Sequence, residues 1–121
     1  MFVAFAELPV FDQHRARVFY TERLGCDVVA DAPMGASAWR WIELGFPGAQ
    51  TALHFVRRQN EAPSEGPVLV FIVDDLRSTV RELVSKGVTI VKDIGPAPWN
   101  PKMQVAEIDD SEGNRIVIAK R

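Results

Sequence analysis

Cysteine is almost absent from this sequence, which holds only Cys26 among its 121 residues. A single cysteine cannot form an internal disulfide, so an apolar core must hold the fold together. Cys26 lies at the apolar start of a predicted strand, where a small buried hydrophobe is the usual role of a free cysteine. A reactive thiol is the alternative interpretation.

An excess of charge of either sign is also missing. The chain carries 14 basic and 16 acidic residues, for a formal net charge of −2, and no local cluster of Lys or Arg. Proteins that bind nucleic acid usually present a basic patch to the phosphates. The composition therefore predicts no nucleic-acid partner.

Long apolar runs are missing as well. No run approaches the roughly 20 residues that span a bilayer. The apolar start, MFVAFAELPVF, has no basic segment before it, and Glu7 interrupts it, so a strand is a better interpretation than a signal peptide. We expect a protein with no membrane partner, located in the cytoplasm.

Several catalytic motifs are absent. The sequence has no G-x-S-x-G, Walker loop, G-x-G-x-x-G or C-x-x-C. His14 lies near Arg15 and Arg17 on the exposed side of a predicted helix, which favours a surface role. No pair of nucleophile and base can be named, so the catalytic residues stay unknown.

What the sequence does contain is a repeated pattern. The segment DQHRARVFYTERLG leads into CDVVAD, and DLRSTVRELVSKG leads into VTIVKD. Each has the pattern of an acidic N-cap, an amphipathic helix, a glycine that ends the helix, and a strand rich in β-branched residues. Gly25 and Gly87 lie about half the chain apart, which indicates two similar modules within a single domain of 121 residues.

The first module is predicted over residues 1–56. A strand over residues 2–11 precedes a helix that begins after Asp12, with apolar residues at helical spacing: Ala16, Phe19, Tyr20 and Leu24. Val28 and Val29 mark the second strand. The segments AWRWIEL and QTALHFV predict two more strands, joined by a turn at Gly48.

A polar connector is predicted over residues 57–67, and the second module over residues 68–121. The strand PVLVFIV precedes a helix capped by Asp74 or Asp75, whose predicted buried stripe is Leu76, Val80, Leu83 and Val84. The strand VTIVKD follows. The three prolines of GPAPWNP are expected to forbid regular pairing there, before the last strands, MQVAEI and RIVIAK. Both modules are thus βαβββ, and the fold class is α+β.

These segments, in this order, resemble the vicinal-oxygen-chelate superfamily, which includes glyoxalase I, extradiol dioxygenases and bleomycin resistance proteins. The matching pieces are V-F-D with A-R-V-F-Y-T-E-R-L-G, R-W-I-E-L, V-D-D-L with E-L-V-S-K-G-V, and D-D-S-E-G-N-R-I-V-I. The resemblance implies two βαβββ modules whose curved sheets form a cleft. It also implies a homodimer in which each cleft takes modules from two subunits.

The same resemblance assigns four metal-ligand positions, which hold Phe5, His54, Val68 and Val117 in this chain. Phe and Val offer no donor atom, and one imidazole is too few for a catalytic ion. We therefore expect no metal and no cofactor. Metal-dependent isomerisation and dioxygenation are disfavoured for the same reason.

If Phe5 and His54 face the cleft, the two-residue period of a strand places Glu7 beside the first of them. On the third strand Trp39, Trp41 and Glu43 then face the cleft, and on the seventh Met103, Val105 and Glu107 do so. Trp99 lies in the proline-rich loop at the rim. The candidate ligand-binding residues are Phe5, Glu7, Trp39, Trp41, His54, Trp99, Met103 and Glu107.

Each candidate also has a structural interpretation. His54 can be a hydrogen-bonded structural residue, and the tryptophans can be packing or dimer-contact residues. Glu7 and Glu107 can be solvated charges or interfacial ion pairs. Burial and pKa shifts, which would separate these roles, are not visible in a sequence.

The favoured function is a metal-free small-molecule-binding protein of the bleomycin-resistance type. It would hold an aromatic or cationic ligand, an antibiotic for example, in a cleft at the dimer interface. The alternative is a cofactor-free lyase or isomerase in which His54 or a cleft glutamate moves a proton. An unrelated ferredoxin-like dimer is a third possibility, which the βαβββ order disfavours.

Overall fold

The computed structural model describes residues 1–59 and 66–120. The chain divides into two compact units, Met1–Glu61 and Ala62–Arg121, and each is described by itself. Most of the predicted connector, residues 60–65, lies outside the described residues. Among the residues described, no helix has the length and apolarity needed to cross a membrane.

The first unit is a four-stranded mixed sheet with one helical segment. Its elements are β1 (Phe5–Val10), α1 (Gln13–Val18) with a π-helical turn (Phe19–Arg23), β2 (Asp27–Met34), β3 (Ser37–Gly45) and β4 (Ala52–Arg57). The strand order is β1-β4-β3-β2. β1 runs parallel to β4, and the other neighbours are antiparallel.

Local chemistry sets the ends of the helical segment. The Asp12 carboxylate accepts a hydrogen bond from the Arg15 N–H at 3.0 Å, which caps the first turn of α1. After the π-helical turn, Gly25 takes a φ of 78°, a left-handed conformation that suits glycine. The chain then enters β2, and Cys26 at this junction is buried, as the sequence predicted.

One face of the first sheet forms the core of the unit. Tyr20 and Phe55 are fully buried, with ring centroids 6.1 Å apart, so the helical segment packs on this face. The other buried residues of the sheet alternate along three strands: Leu8, Val10, Ile42, Leu44 and Leu53. Because strand side chains alternate, the residues between them lie on the opposite face.

The second unit repeats this topology. Its elements are β5 (Pro67–Ile72), α2 (Leu76–Ser85), β6 (Ile90–Ala97), β7 (Asn100–Asp109) and β8 (Arg115–Lys120). The strand order is β5-β8-β7-β6, with β5 parallel to β8. The helix buries Leu76, Val80 and Leu83, while β7 and β8 bury Ala106, Ile108, Ile116 and Ile118.

Two details of the second unit differ from the sequence prediction. Val84 was expected in the buried stripe of α2, but 56% of it is exposed, because the buried face is centred on Leu76, Val80 and Leu83. β6 also extends beyond the predicted segment VTIVKD into the proline-rich segment, where the pairing is irregular. Pro96 lies opposite Gln104 in the β6–β7 ladder, beside a register shift. β6 is an edge strand, where proline and bulges are tolerated.

The predicted fold class is confirmed. Each unit follows the order βαβββ, and the whole is an α+β arrangement of two four-stranded mixed sheets.

Candidate functional site

Four candidate residues and Glu43 meet on the face of the first sheet that lies opposite its core. This aromatic face consists of Phe5 and Glu7 from β1, Trp41 and Glu43 from β3, and His54 from β4. His54 is paired with Glu7 on one side and with Glu43 on the other. The strand register therefore places one imidazole between two carboxylates.

The rings of the aromatic face are in contact. The Trp41 and His54 ring centroids lie 4.0 Å apart with an interplanar angle of 32°, which is a tilted stack. Phe5 meets Trp41 edge to face, with centroids 5.9 Å apart, and lies 5.9 Å from His54. These separations are typical of favourable aromatic pairs.

Carboxylates fix the orientation of both polar rings. Nδ1 of His54 lies 2.7 Å from Oε2 of Glu7, and Nε1 of Trp41 donates to Oε1 of Glu43 at 2.7 Å. An ionised carboxylate only accepts hydrogen bonds, so Nδ1 carries a proton in the first pair. The His54 side chain is only 12% exposed, whereas that of Glu7 is 55% exposed. The imidazole is thus positioned by its neighbours, and a carboxylate remains in contact with solvent.

A cavity of about 350 Å³ adjoins the aromatic face and shares Phe5 and Glu43 with it. Its other walls come from β2, from the start of β4 and from the loop that joins β3 to β4, and include Asp27, Val29 and Phe46. A volume of this size suits a small ligand. Acidic, neutral polar and apolar side chains line it, and among the described residues no basic side chain does.

The second unit carries different chemistry at the matching positions. Val70 and Glu107 are paired with Val117, as Glu7 and Glu43 are paired with His54. Val117 is 1% exposed and packs in an apolar cluster with Ala97, Val105 and Ala119, against which Met103 also lies. Of the three polar residues Glu7, Glu43 and His54, only Glu43 has a polar counterpart at the matching position of the second unit, which is Glu107.

The structure thus brings together four of the predicted site residues: Phe5, Glu7, Trp41 and His54. Met103 and Glu107 lie on β7 of the second unit, and Trp99 is 54% exposed in the turn between β6 and β7. Trp39 makes none of the ring contacts of the aromatic face; instead the Arg57 guanidinium lies 4.9 Å from its ring centroid.

Glu43 is a residue that the sequence placed on the cleft side without assigning it to the site. The sequence pattern could have assigned Glu43 to the site, because Trp41 and Glu43 are two residues apart on a strand and therefore share a face. The hydrogen bond between them could not be anticipated, since it depends on side-chain rotamers.

The residues at the metal-ligand positions do not fit a metal ion. Three of the four side chains are hydrocarbon, and Nδ1 of the fourth, His54, is engaged by Glu7. Across residues 1–59 and 66–120, no three His, Cys, Asp or Glu side chains gather as a metal site.

Comparison with known proteins agrees with this architecture. The family model of the Glyoxalase/Bleomycin resistance protein/Dioxygenase superfamily matches residues 3–118. The chain is 35% identical over 123 residues to the uncharacterized protein YurT of Bacillus subtilis (strain 168), with 93% of each chain covered.

Two crystal structures show the same fold. A superfamily member from Sphaerobacter thermophilus DSM 20745 has a TM-score of 0.83 and 25% identity, with 100% of this chain and 98% of that chain covered. TnmS3, an antibiotic binding protein from Streptomyces sp. CB03234, has a TM-score of 0.82 and 29% identity, with 99% of this chain and 95% of that chain covered. With two βαβββ units and a family match over nearly its whole length, this chain belongs to the glyoxalase/bleomycin resistance protein/dioxygenase superfamily.

Proposed function

We propose that this chain is a metal-free small-molecule-binding protein whose ligand is a planar aromatic compound, preferably one with a positive charge. The observation that carries the proposal is the Trp41–His54 stack, with centroids 4.0 Å apart and each ring tied to a carboxylate. Because carboxylates hold both rings, such a pair is an aromatic surface whose geometry does not have to be created on binding.

The charge of the aromatic face favours a cationic ligand. Glu7 and Glu43 are acidic, and Asp27 lines the adjoining cavity. Aromatic rings attract cations through their negative faces, and nearby carboxylates strengthen that attraction. The similarity to TnmS3, an antibiotic binding protein, supports a sequestration role in which the ligand is bound without being changed.

A titration with a planar aromatic cation tests this proposal. We expect isothermal titration calorimetry to detect binding of the dye proflavine, and Trp41→Ala and His54→Ala each to weaken it at least tenfold, because removing a central stacking or anchoring group usually costs more than 1 kcal/mol. His14→Ala is the matched control, since His14 is exposed and lies outside the aromatic face.

Three results would contradict the proposal. They are the absence of proflavine binding, unchanged affinity in both aromatic-face variants, and an equal loss in His14→Ala. Circular dichroism of each variant verifies that the fold is intact.

The Glu7–His54 pair favours a second candidate, a cofactor-free lyase or isomerase. A carboxylate that accepts from Nδ1 orients the ring and leaves Nε2 as the group that can take a proton from a substrate. If there is turnover, Glu7→Gln should lower kcat while changing affinity little. Recovery of the bound compound unchanged after prolonged incubation supports sequestration instead.

We also propose that the protein is a homodimer. β5 is an edge strand, and its outward row Val68, Val70 and Ile72 is 41%, 50% and 48% exposed. Val70 is paired with Val117 and Ile72 with Ala119, so this row continues the apolar cluster of the second unit. An apolar row of this kind on an edge strand suits burial against a second copy of the chain.

A further inference from the structure

A second groove lies on the other side of the first sheet, beside α1. It has a volume of about 560 Å³ and is lined by the segment from Phe11 to His14, by Arg17, by the start of β3 and by Asp31 and Arg57. Ala38, Trp39, Arg40 and Ile42 of β3 line it, whereas none of the five residues of the aromatic face does. The groove is therefore separate from the site of the proposed function.

The walls of the groove are held in place by hydrogen bonds. The Gln13 side chain donates to the Arg40 carbonyl at 2.6 Å and accepts from the Arg40 N–H at 2.8 Å, which joins α1 to β3. The Asp31 carboxylate accepts from Nε of Arg40 at 2.6 Å. Asp12 caps the helix, since its carboxylate accepts a hydrogen bond from the Arg15 N–H. This bond lowers the pKa of the Asp12 carboxyl.

Positive charge in the groove exceeds the negative charge that pairs with it. Three arginines line it, against the two carboxylates of Asp12 and Asp31. Arg40 takes the short contact to Asp31, while Nε of Arg17 lies 3.7 Å from the same carboxylate. That Nε is buried and donates no hydrogen bond to any described residue. No carboxylate among the described residues forms an ion pair with Arg57, which lies over the Trp39 ring.

We propose that this groove binds a planar aromatic carboxylate. The carboxylate would accept from the guanidinium of Arg57 and from that of Arg17, whose side chain is 41% exposed; a two-oxygen acceptor matches the geometry of a guanidinium. The ring would lie against Phe11, which is 41% exposed, and Trp39.

The test uses two probes with the same ring system, 2-naphthoate and the neutral 2-naphthalenemethanol, in fluorescence titrations of the full chain. We expect naphthoate to bind at least tenfold more tightly, and added NaCl to weaken naphthoate but not the alcohol. Arg57→Gln and Arg17→Gln should each weaken naphthoate about tenfold or more. Arg23→Gln is the matched control, because Arg23 follows α1 and pairs with Glu22 outside the groove.

Trp41→Ala removes a residue of the aromatic face that does not line the groove. The affinity of this variant for naphthoate should therefore be unchanged. Equal affinity for the two probes, an equal loss in Arg23→Gln, or loss of naphthoate binding in Trp41→Ala would each overturn the proposal. If Arg17→Gln lowers the melting temperature, Arg57→Gln decides the outcome, since Arg57 contributes no ion pair within the described part of the chain.

Discussion

Cys26 shows how strongly position controls the chemistry of a single residue. The side chain is 5% exposed just before β2. Burial, with a smaller contribution from the Asp27 charge, raises the pKa of the thiol to about 12. Because only the thiolate is a good nucleophile, a thiol with this pKa is almost entirely unreactive near neutral pH. The structure thus favours the packing interpretation of this cysteine.

We therefore expect Cys26 to react with 5,5′-dithiobis(2-nitrobenzoic acid) at least 100-fold more slowly in the native protein than in urea. A raised pKa means that the thiolate forms only as the pH approaches 12, so the native rate should stay low between pH 7 and 9. The absorbance of the released thiolate gives both rates. Rapid reaction of the folded protein at pH 7 would show that the thiol is accessible.

The sequence predicted which face each site residue occupies better than what each residue contacts. Alternation along the strands correctly grouped Phe5 with Glu7, and Trp41 with Glu43. It could not separate Trp39 from Trp41, which share that period, although one contacts Arg57 and the other His54. Contacts between strands depend on register and rotamers, and neither is encoded in the local pattern.

Among the elements, α2 depends on one capping residue. The sequence offered Asp74 or Asp75, and the structure selects Asp75, whose carboxylate accepts from the Ser78 N–H at 3.0 Å. The hydroxyl of Thr79 also donates to the Asp75 carbonyl at 2.8 Å. The first bond satisfies an N–H that the first turn of a helix otherwise leaves without a partner. The second adds to the helical bond that the Thr79 N–H donates to the same carbonyl at 3.1 Å.

We expect Asp75→Ala to lower the free energy of unfolding by about 1 kcal/mol, as is usual for loss of an N-cap. Asp74→Ala is the matched control and should change it little, because Asp74 does not cap α2. Urea unfolding followed by circular dichroism measures both values. Equal effects of the two substitutions would mean that charge, and not capping, is responsible.

The β6–β7 hairpin is longer than the sequence predicted, because both strands extend into the proline-rich segment. Local rules treat proline as a breaker, but a strand at the edge of a sheet has one side without a partner strand, where a missing N–H costs little. Whether a strand is at the edge depends on the order β5-β8-β7-β6, which is a property of the whole sheet. Helix caps and strand segments are local features, and most of these were predicted correctly.

At the scale of the whole molecule, the sequence predicted the repeated βαβββ order because each element has a local signature. The structure adds the strand orders, in which the first strand of each unit lies beside its last. It also shows that the two units differ in polarity at matched positions, with His54 in one and Val117 in the other. The main prediction at this scale is that the protein forms the homodimer proposed above.

We expect light scattering coupled to size-exclusion chromatography to give about twice the 13.5 kDa chain mass. Val70→Lys should shift the protein to a monomer, because it places a charge in the apolar row of β5. Val84→Lys is the matched control, since Val84 is 56% exposed on α2, outside that row. A monomeric wild-type protein at micromolar concentration would contradict the proposed dimer.

The parallel pairing of β1 with β4 also has a consequence for folding. The contact between Trp41 and Glu43 joins residues two positions apart, whereas that between Glu7 and His54 joins residues 47 positions apart. Bringing distant parts of a chain together loses more loop entropy than forming a local contact, and pairings of this kind slow folding. The contact between Trp41 and Glu43 can therefore form within a single strand, but the imidazole gains its carboxylate only when the first and last strands of the unit meet. Closure of the sheet is thus also the step that completes the aromatic face.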